Sequence, residues 1–503
     1  FLGSRTLLSP LSSRVPHSLL APWSAVRSSV RFAVLAGLLL LTACGPSVNR
    51  YLLIEQSLAA GDAKQADAIV QQAEKSYGEK SRLLYGMDRG MTLQLAGDYQ
   101  QSSAVLEQAE EEVERLYTRT VRSEAAAFLT NDNALSYEGD PYEHVMLNVV
   151  KALNYAAQGQ LQEALVEARR IDHRLNVLSD KTKDKASYRE DGFARYLTGI
   201  LYEATDDVNN AFIAYRKAYD AYEANRGWAR TPVPAQLRAD LLRTADALHL
   251  TNEFEEYRRL FPDTAWQASA AQRDLAQVVL ISYNGRAPRK EDRFLDLPIS
   301  LEALQLVLLN RGFSQSSRQQ NRGVDSVLYG LNGRVVRVAL PRLVTQKTQV
   351  PVEQLTLVGE TGRQVRVSSE LGQNISALAD KSLSDRLPGI TVKALARAAF
   401  KFAMAEGATR GAQQAAGKDA APWVGLIVGL LTKGLAVASE EADKRSWQTL
   451  PDEIHIARAW VEPGQYAASV QLVGRANGPT AESKRTLTLA PGQTAIMIQR
   501  VIQ

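Results

Sequence analysis

One pattern of small, aromatic and turn-forming residues recurs along the first half of the chain and constrains its fold more than any other feature. In residues 152–171, ALNYAAQGQLQEALVEARRI, small and aromatic residues precede a glycine, and further small residues follow it. The recurring positions there are Ala152, Tyr155, Gly159, Leu161, Ala164 and Ala168. The same order returns in residues 90–109 and 199–218, and in shorter form in residues 59–73. Small residues on one helical face let successive helices approach closely, so the pattern predicts antiparallel helix pairs joined by tight turns.

The pattern resembles the tetratricopeptide repeat, and this resemblance implies an α-solenoid whose concave face binds peptides or partner proteins. The turn positions, residues 61, 97, 159 and 206, are 36, 62 and 47 residues apart. The regular period is about 34 residues, so the array is interrupted, mainly between its second and third copies. Residues 236–261 fit a degenerate closing pair. The alternative is an irregular helical bundle in which alanines recur by chance.

The composition changes near Pro262, after which short strands alternate with turns. DLAQVVLISYNG (274–285) predicts a strand ending at Asn284-Gly285, and GRVVRVALP predicts a half-buried strand before Pro341. QLTLVGETGRQVRVS predicts a hairpin across Gly359 to Gly362. Four further strands are separated by Pro-Gly or Asn-Gly pairs: EIHIARAW, QYAASVQLVG, RTLTLAPG and TAIMIQRV. They predict a small β-sandwich similar to immunoglobulin-like or surface-adhesion modules.

An Ala/Gly-rich segment, residues 391–443, interrupts these strands. Residues 391–414 are rich in alanine, and residues 423–438 are almost entirely apolar, with two glycines in a GxxxG spacing. The apolar run would span roughly 24 Å as a helix, which is short of the ~30 Å hydrocarbon core of a bilayer. We therefore expect a helical hairpin packed on the sheets. Membrane insertion or docking to a partner is the alternative.

These patterns together predict a multidomain α+β protein. Its parts would be a tetratricopeptide-like helical domain over residues 44–265 and a β-rich, sandwich-like domain over residues 270–503 that contains the 391–443 hairpin. Residues 1–43 would be an upstream segment followed by a lipoprotein signal peptide.

The signal peptide is predicted from the surroundings of Cys44, the only cysteine of the 503 residues. Arg27 and Arg31 precede an apolar run over residues 32–41 that is too short to span a bilayer. The following LTAC resembles a bacterial lipobox. The resemblance implies acylation of Cys44 by chains such as palmitate and, with Gly45 next, export to the outer membrane. The alternative is an uncleaved apolar anchor with a chance cysteine.

Removal of residues 1–43 changes the charge of the chain. They hold four arginines and no acidic residue, so the net charge of +4 falls to zero for residues 44–503. A neutral mature chain has no general basic field for nucleic acid. A single cysteine forms no disulfide within the monomer, so stability must come from burial.

Residues 135–148, LSYEGDPYEHVMLN, lie in the interruption of the repeats and gather acidic, histidine and tyrosine side chains. These are Tyr137, Glu138, Asp140, Tyr142, Glu143 and His144. A metal or acid–base site is one interpretation. The order Asp140, Pro141, Glu143 instead predicts a helix start, with an N-cap, a proline at the first helical position and a capping glutamate.

This segment, together with ALNYAAQGQLQEALVEARR and WQTLP, resembles an uncharacterised family of proteobacterial outer-membrane lipoproteins. In that family a tetratricopeptide-like half precedes a β-rich half. The resemblance implies the architecture of the mature chain and transfers no functional residues.

Motifs of the common enzyme classes do not match the chain. G-x-S-x-G, H-E-x-x-H and G-x-G-x-x-G are absent from the sequence. GAQQAAGKD (411–419) departs from a phosphate loop, because five residues separate its glycines and no hydroxyl residue follows Lys418. The histidines after Cys44 are scattered: His144, His173, His249 and His455. We therefore predict that the protein is not an enzyme and uses no metal or cofactor.

The sequence therefore predicts a scaffold anchored in the outer membrane through lipidated Cys44 and facing the periplasm. Its repeats would bind a protein partner on their concave face, in a process such as cell-envelope assembly. One alternative is a structural subunit of a surface or secretion complex, in which the 391–443 hairpin mediates oligomerisation or membrane insertion. Another is an envelope hydrolase.

Overall fold

The fold of the chain from Cys44 to Gln503, which forms one compact unit, is given by a computed structural model. The structure describes residues 48–127, 135–181, 188, 190–298, 335–348, 352–394, 441–473 and 483–502. Several features of the sequence lie outside the described residues, among them Cys44, the phosphate-loop-like 411–419 and residues 395–440 of the predicted hairpin.

Antiparallel helix pairs build the part of the chain before residue 262. The pairs are α1 (Val48–Ala59) with α2 (Ala63–Gln72), α3 (Arg82–Leu95) with α4 (Tyr99–Ala127), α5 (Pro141–Ala157) with α6 (Leu161–Lys181), α7 (Gly192–Glu203) with α8 (Val208–Ala229), and α9 (Ala235–Ala247) with α10 (Thr251–Leu260). Short helices at Glu74–Tyr77 and Ser269–Gln272 and a 3-10 turn at Glu79–Ser81 complete this part. The helix pairs and their order agree with the predicted repeats.

Each pair turns at a residue with left-handed backbone geometry. The φ angles are 77° at Gly61, 83° at Gly97, 74° at Gly159, 60° at Asp206 and 57° at His249. Left-handed φ ends a helix and favours glycine. The first four are the turn positions predicted from the sequence. In three pairs an aspartate follows the turn and accepts the backbone N–H of the residue three positions on, which caps the second helix.

Small residues set the distance between the two helices of a pair, as the sequence predicts. A Cβ added at Gly90 would lie 2.3 Å from Leu106 Cδ2, and one at Gly199 would lie 2.4 Å from the ring of Tyr215. Ala164 is fully buried. The second helix of each pair therefore occupies the space that a larger residue on the first helix would need.

The described residues after Gln272 form two four-stranded sheets, a two-stranded ribbon and helix α11 over 375–394. The strands are β1 (Ala276–Asn284), β2 (Arg289–Pro298), β3 (Val335–Val344), β4 (Val352–Gly359), β5 (Gln364–Ser368), β6 (Glu370–Asn374), β7 (Glu453–Val461), β8 (Gly464–Val473), β9 (Ser483–Leu489) and β10 (Thr494–Val501). The inner sheet has the order β10-β1-β7-β6, and the outer sheet has the order β5-β4-β8-β9. β1 pairs parallel with β10, while the other pairs of both sheets are antiparallel.

The inner sheet is buried on both faces, which makes the fold three layers deep. Every residue of β1 is buried. Val278 and Leu280 pack with the outer sheet, whereas Val279 and Ile281 pack with the helices. Successive side chains of a strand point to opposite faces, so the apolar run VVLI contributes side chains to both hydrophobic cores. The four strands predicted to form a sandwich are β7 to β10, and they divide between its two sheets.

The ribbon corrects one predicted boundary. The strand predicted to precede Pro341 continues through it to Val344, and Pro341 pairs with Asp292 of β2. Among the described residues each ribbon strand has one neighbour, and a proline without an N–H is tolerated on such an edge.

The predicted helical and β-rich parts share one hydrophobic core. Buried residues of the helix pairs and the helix-facing residues of β1, β7 and β10 belong to the same cluster. The last repeat helix ends at Leu260 and the first strand begins at Ala276. Within the described part of the chain, no helix combines the length and the hydropathy needed to cross a bilayer.

Candidate protein-binding groove

The face formed by the first helices of the pairs, α1, α3, α5, α7 and α9, packs against the inner sheet and its edges. Tyr283 of β1 donates a hydrogen bond of 3.0 Å to Gln94 of α3. Gln373 of β6 donates one of 2.7 Å to Asp191, the N-cap of α7. Nearly all of α5 and α7 is buried. The expected partner site on the concave side of the array therefore needs correction, because the chain's own sheet occupies the first-helix face.

Buried charges fasten the two layers to each other. Arg458 of β7 pairs with Asp240 of α9 and lies 2.9 Å from Glu203 of α7, and Arg243 of α9 pairs with both carboxylates. Burial alone would raise the pKa of Glu203, but Arg243 and Arg458 outweigh it and lower that pKa to about 2. Separating the layers would leave these charges unpaired, which costs several kcal/mol per broken buried pair, on the order of 3–5.

The acidic cluster at 137–144 is a second junction. Pro141 begins α5, and the carboxylate of Glu143 accepts the N–H of Asp140 at 2.8 Å, which confirms the predicted helix start. The same carboxylate accepts the N–H of Trp447 at 2.8 Å. Asp140 pairs with Lys290 of β2 and with Arg386 of α11. The chain itself supplies these partners, so the cluster joins α5 to β2, to α11 and to Trp447.

Trp447 belongs to residues 441–452, an irregular stretch that we call the docking segment. The side chain of Trp447 is 1% exposed and is the largest fully buried side chain in the described part of the chain. Thr449 donates to Asp88 of α3 at 2.9 Å, and Tyr51 and Tyr77 donate to the other oxygen of that carboxylate. Burial raises the pKa of Asp88 to about 6. The WQTLP motif quoted above therefore packs against the repeat helices α3 and α5.

A serine, a histidine and a glutamate also meet between the sheets. Ser369 Oγ lies 3.5 Å from His455 Nδ1, and a carboxylate oxygen of Glu353 lies 3.0 Å from the same nitrogen. In a catalytic triad the serine and the acid contact opposite ring nitrogens. The second nitrogen, Nε2, faces Glu453 at 3.3 Å. This arrangement is a buried ion pair and lacks triad geometry.

An open groove of about 980 Å³ lies on the outer side of the array, between the second helices α4 and α6. Its apolar lining is Val113, Leu116, Tyr117, Val166, Val177 and Leu178, and its polar lining includes Glu110, Glu114, Arg169, Arg170, Arg174, His173 and Arg386. Val166 and Tyr117 are 45% and 62% exposed. Exposed apolar side chains bordered by charges are typical of protein-binding surfaces.

The polar wall of the groove is held rigid by a buried network. Lys151 of α5 is fully buried and contacts three carboxylates, those of Glu107, Glu110 and Glu167. Burial alone would lower the pKa of Lys151, but these carboxylates raise it. Arg170 also pairs with Glu110, at 2.7 Å. Paired charges of this kind fix the orientation of α4 against α6.

The rim of the groove carries arginine side chains, some of which form ion pairs with carboxylates of the chain. Arg174 is held by Glu110 at 2.7 Å, and Arg386 is held by Asp140. Arg169 is exposed and forms no ion pair among the residues that the structure describes. Its guanidinium is therefore available to a carboxylate on a bound segment.

The sequence did not reveal this groove, because its lining comes mainly from α4 and α6, which are separated in the chain by residues 128–140 and by helix α5. The one signal available was Val166, an apolar residue on a helix face that the repeat pattern leaves outside the core. His144 and His173 both line the groove. Within the described ranges no group of three or more histidine, cysteine or acidic side chains is arranged to hold a metal ion.

No family model matches the chain, and no curated protein sequence is similar to it. The chain is similar to a solved structure of tetratricopeptide-like repeats from a kinesin light chain homologue of Podosopora anserina (18% identity, 42% of this chain, 90% of that one, TM-score 0.29). It is also similar to MamA from Desulfovibrio magneticus RS-1 (15% identity, 44% and 95% coverage, TM-score 0.27). The repeat assignment rests on the helix pairs and turns described above.

Proposed function

We propose that the protein is a scaffold that binds a protein partner through the groove between α4 and α6, and that it is held at the outer membrane by an acylated Cys44. The observation that carries the proposal is the groove itself: an apolar, charged-rimmed surface on an array whose other face is filled by its own sheet.

The partner that fits is an extended or helical protein segment with apolar side chains and at least one carboxylate. Val166 and the partly buried Val177 and Leu178 supply the apolar contact. Arg169 supplies the charge-assisted hydrogen bond, and the pairing of Arg174 and Arg170 with Glu110 keeps the rest of the rim close to neutral. A segment of this kind would bind by the same physics as an amphipathic helix in a groove.

The anchor is supported by the sequence alone, through the lipobox that ends at Cys44. Several acyl chains, each CH₂ contributing about 0.8 kcal/mol, make a stable membrane attachment. A scaffold fixed to the membrane presents its groove to envelope proteins, which supports a role in envelope assembly. Facing the periplasm is part of this proposal.

Two substitutions test the groove. Val166→Glu places a charge on its apolar lining and should abolish co-purification of the partner crosslinked in living cells. Leu260→Glu is the matched control, because Leu260 is 51% exposed on α10, away from the groove. Equal loss in both variants, or in neither, would contradict the assignment of the partner to this groove.

The anchor is tested separately. Mature wild-type protein should carry the mass of a diacylglycerol and an amide-linked chain on Cys44, and Cys44→Ser should appear as an unprocessed precursor. A mature chain with an unmodified cysteine would refute the anchor and leave the groove untouched.

A further inference from the structure

The outward face of α1 carries no charged residue. Its exposed residues are Val48, Asn49, Leu52, Leu53, Gln56 and Ala59. Val48, Leu52 and Leu53 are 63%, 44% and 53% exposed, and all three are large apolar side chains. The charged residues of this helix, Arg50 and Glu55, are only partly exposed.

Helix α10 shows what an ordinary outward face of this protein contains. Its exposed residues include Glu255, Glu256, Arg258 and Arg259, next to the single large apolar Leu260. A solvated helix face is normally charged in this way. The contrast indicates that the outward face of α1 contacts something other than water.

The orientation of α1 is fixed by its inward face. Tyr51 donates to Asp88 at 2.7 Å, and Glu55 pairs with Arg286 at 2.8 Å. Ile54 and Leu58 are buried against α2. Because these contacts hold the helix in place, Leu52 and Leu53 cannot turn inward to escape water.

The position of α1 in the chain limits what can cover this face. Cys44 lies four residues before Val48, and four extended residues reach at most about 14 Å. An acyl group on Cys44 would therefore keep the first turn of α1 beside the bilayer surface. This step rests on the acylation proposed above.

We propose that α1 lies on the membrane surface with Val48, Leu52 and Leu53 inserted among the lipid headgroups. An interfacial helix of this kind binds through its buried apolar area, and an uncharged outward face removes the desolvation cost that charges would impose. The contact would fix the orientation of the whole unit on the bilayer, because α1 is joined rigidly to α2 and α3.

The test uses residues 44–503 with Cys44→Ser, which leaves no cysteine in the chain. An N-terminal hexahistidine tag tethers this protein to vesicles of phosphatidylethanolamine, phosphatidylglycerol and a nickel-chelating lipid. An environment-sensitive fluorophore is attached at Leu53→Cys, or at Leu260→Cys as the matched control. Because the tag replaces the acyl chains, this experiment is independent of whether Cys44 is modified in cells.

The fluorophore at position 53 should shift its emission to the blue and become several-fold less accessible to dithionite when vesicles are added, while that at position 260 should not change. Leu52→Glu in the protein labelled at 53 should reverse both effects. Equal accessibility at 53 and 260 on vesicles would overturn the proposal. A blue shift without vesicles, accompanied by a dimer in sizing, would overturn it in favour of a second copy of the chain.

Discussion

Glycines at the helix contacts show how single residues set the fold. Gly199 lies where α7 meets the ring of Tyr215, whereas Gly227, in α8, has open space around its Cα. The two positions have the same intrinsic preference against a helix, so they separate the effect of packing from that of propensity.

We expect Gly199→Ala to lower the free energy of unfolding by about 1–3 kcal/mol, because the new Cβ overpacks a rigid ring. Gly227→Ala should raise it by up to about 1 kcal/mol, because alanine is the better helix former and nothing opposes it. Denaturant titration of both variants measures the difference. Equal shifts in the same direction would show that α7 and α8 do not meet at Gly199.

Because of His455, the free energy of unfolding should fall as the pH rises toward 9. Burial would lower its pKa, but Glu353 and Glu453 outweigh burial and raise it to about 9. A histidine whose pKa is higher in the folded state contributes stability that is complete below its unfolded pKa of about 6.5. That contribution is lost as pH rises through about 9.

Between pH 6.5 and 9 the wild type should therefore lose on the order of 3 kcal/mol more of its free energy of unfolding than His455→Gln does. The quantity to measure is the difference between the two proteins at each pH, in which the contributions of other groups cancel. Parallel curves would show that His455 is neutral in the folded protein.

At the residue scale, the features that could be predicted from the sequence are those that depend on neighbouring residues. Four turn positions and the capping of α5 depend on residues a few positions apart. The ion pairs of Asp140 with Lys290 and of Arg458 with Asp240 join residues more than 140 positions apart, and no local pattern marks them.

At the scale of elements, the docking segment 441–452 is the clearest case of structure set by its surroundings. It is irregular, yet Trp447 is buried against the repeats and Thr449 bonds to Asp88. The docking segment is therefore stabilised by the burial of its apolar side chains and not by regular secondary structure.

Trp447→Ala should lower the free energy of unfolding by about 3–5 kcal/mol, since it removes a large buried side chain and leaves a cavity. Leu260→Ala, at an exposed site, should change it by less than about 0.5 kcal/mol. Calorimetry or denaturant titration distinguishes the two. A small effect of Trp447→Ala would mean that the segment does not dock on α3 and α5 in solution.

The strands were predictable where apolar runs end at turn pairs, as in β1 and the β4–β5 hairpin. Helix α11 was missed over 375–390, and two residues that disfavour helix interiors, Pro388 and Gly389, lie inside it. The change of sheet between β5 and β6 was also missed. It takes place at the single residue Ser369, whose N–H donates to Glu353 of β4 at 2.7 Å, a contact that sequence spacing does not reveal.

At the scale of the whole molecule, the helical array and the sheets form one body instead of two. The sequence predicted both parts, because each has its own periodicity, but their assembly depends on shapes that periodicity does not encode. The alternation of β1 is hidden since both of its faces are buried. The filled first-helix face follows from that assembly and moves the proposed partner site to the groove between α4 and α6.

The central claim is therefore about which face of the array meets a partner. A photocrosslinking amino acid placed at Val166 in the groove, at Arg238 on α9, or at Leu260 on α10 reports this directly in living cells, followed by mass spectrometry. We predict one discrete protein adduct from position 166 and none from positions 238 and 260. An adduct from position 238, with none from 166, would contradict this prediction, because a partner would then bind at the open pocket between α9 and the sheets, which Arg238 lines, and not in the groove.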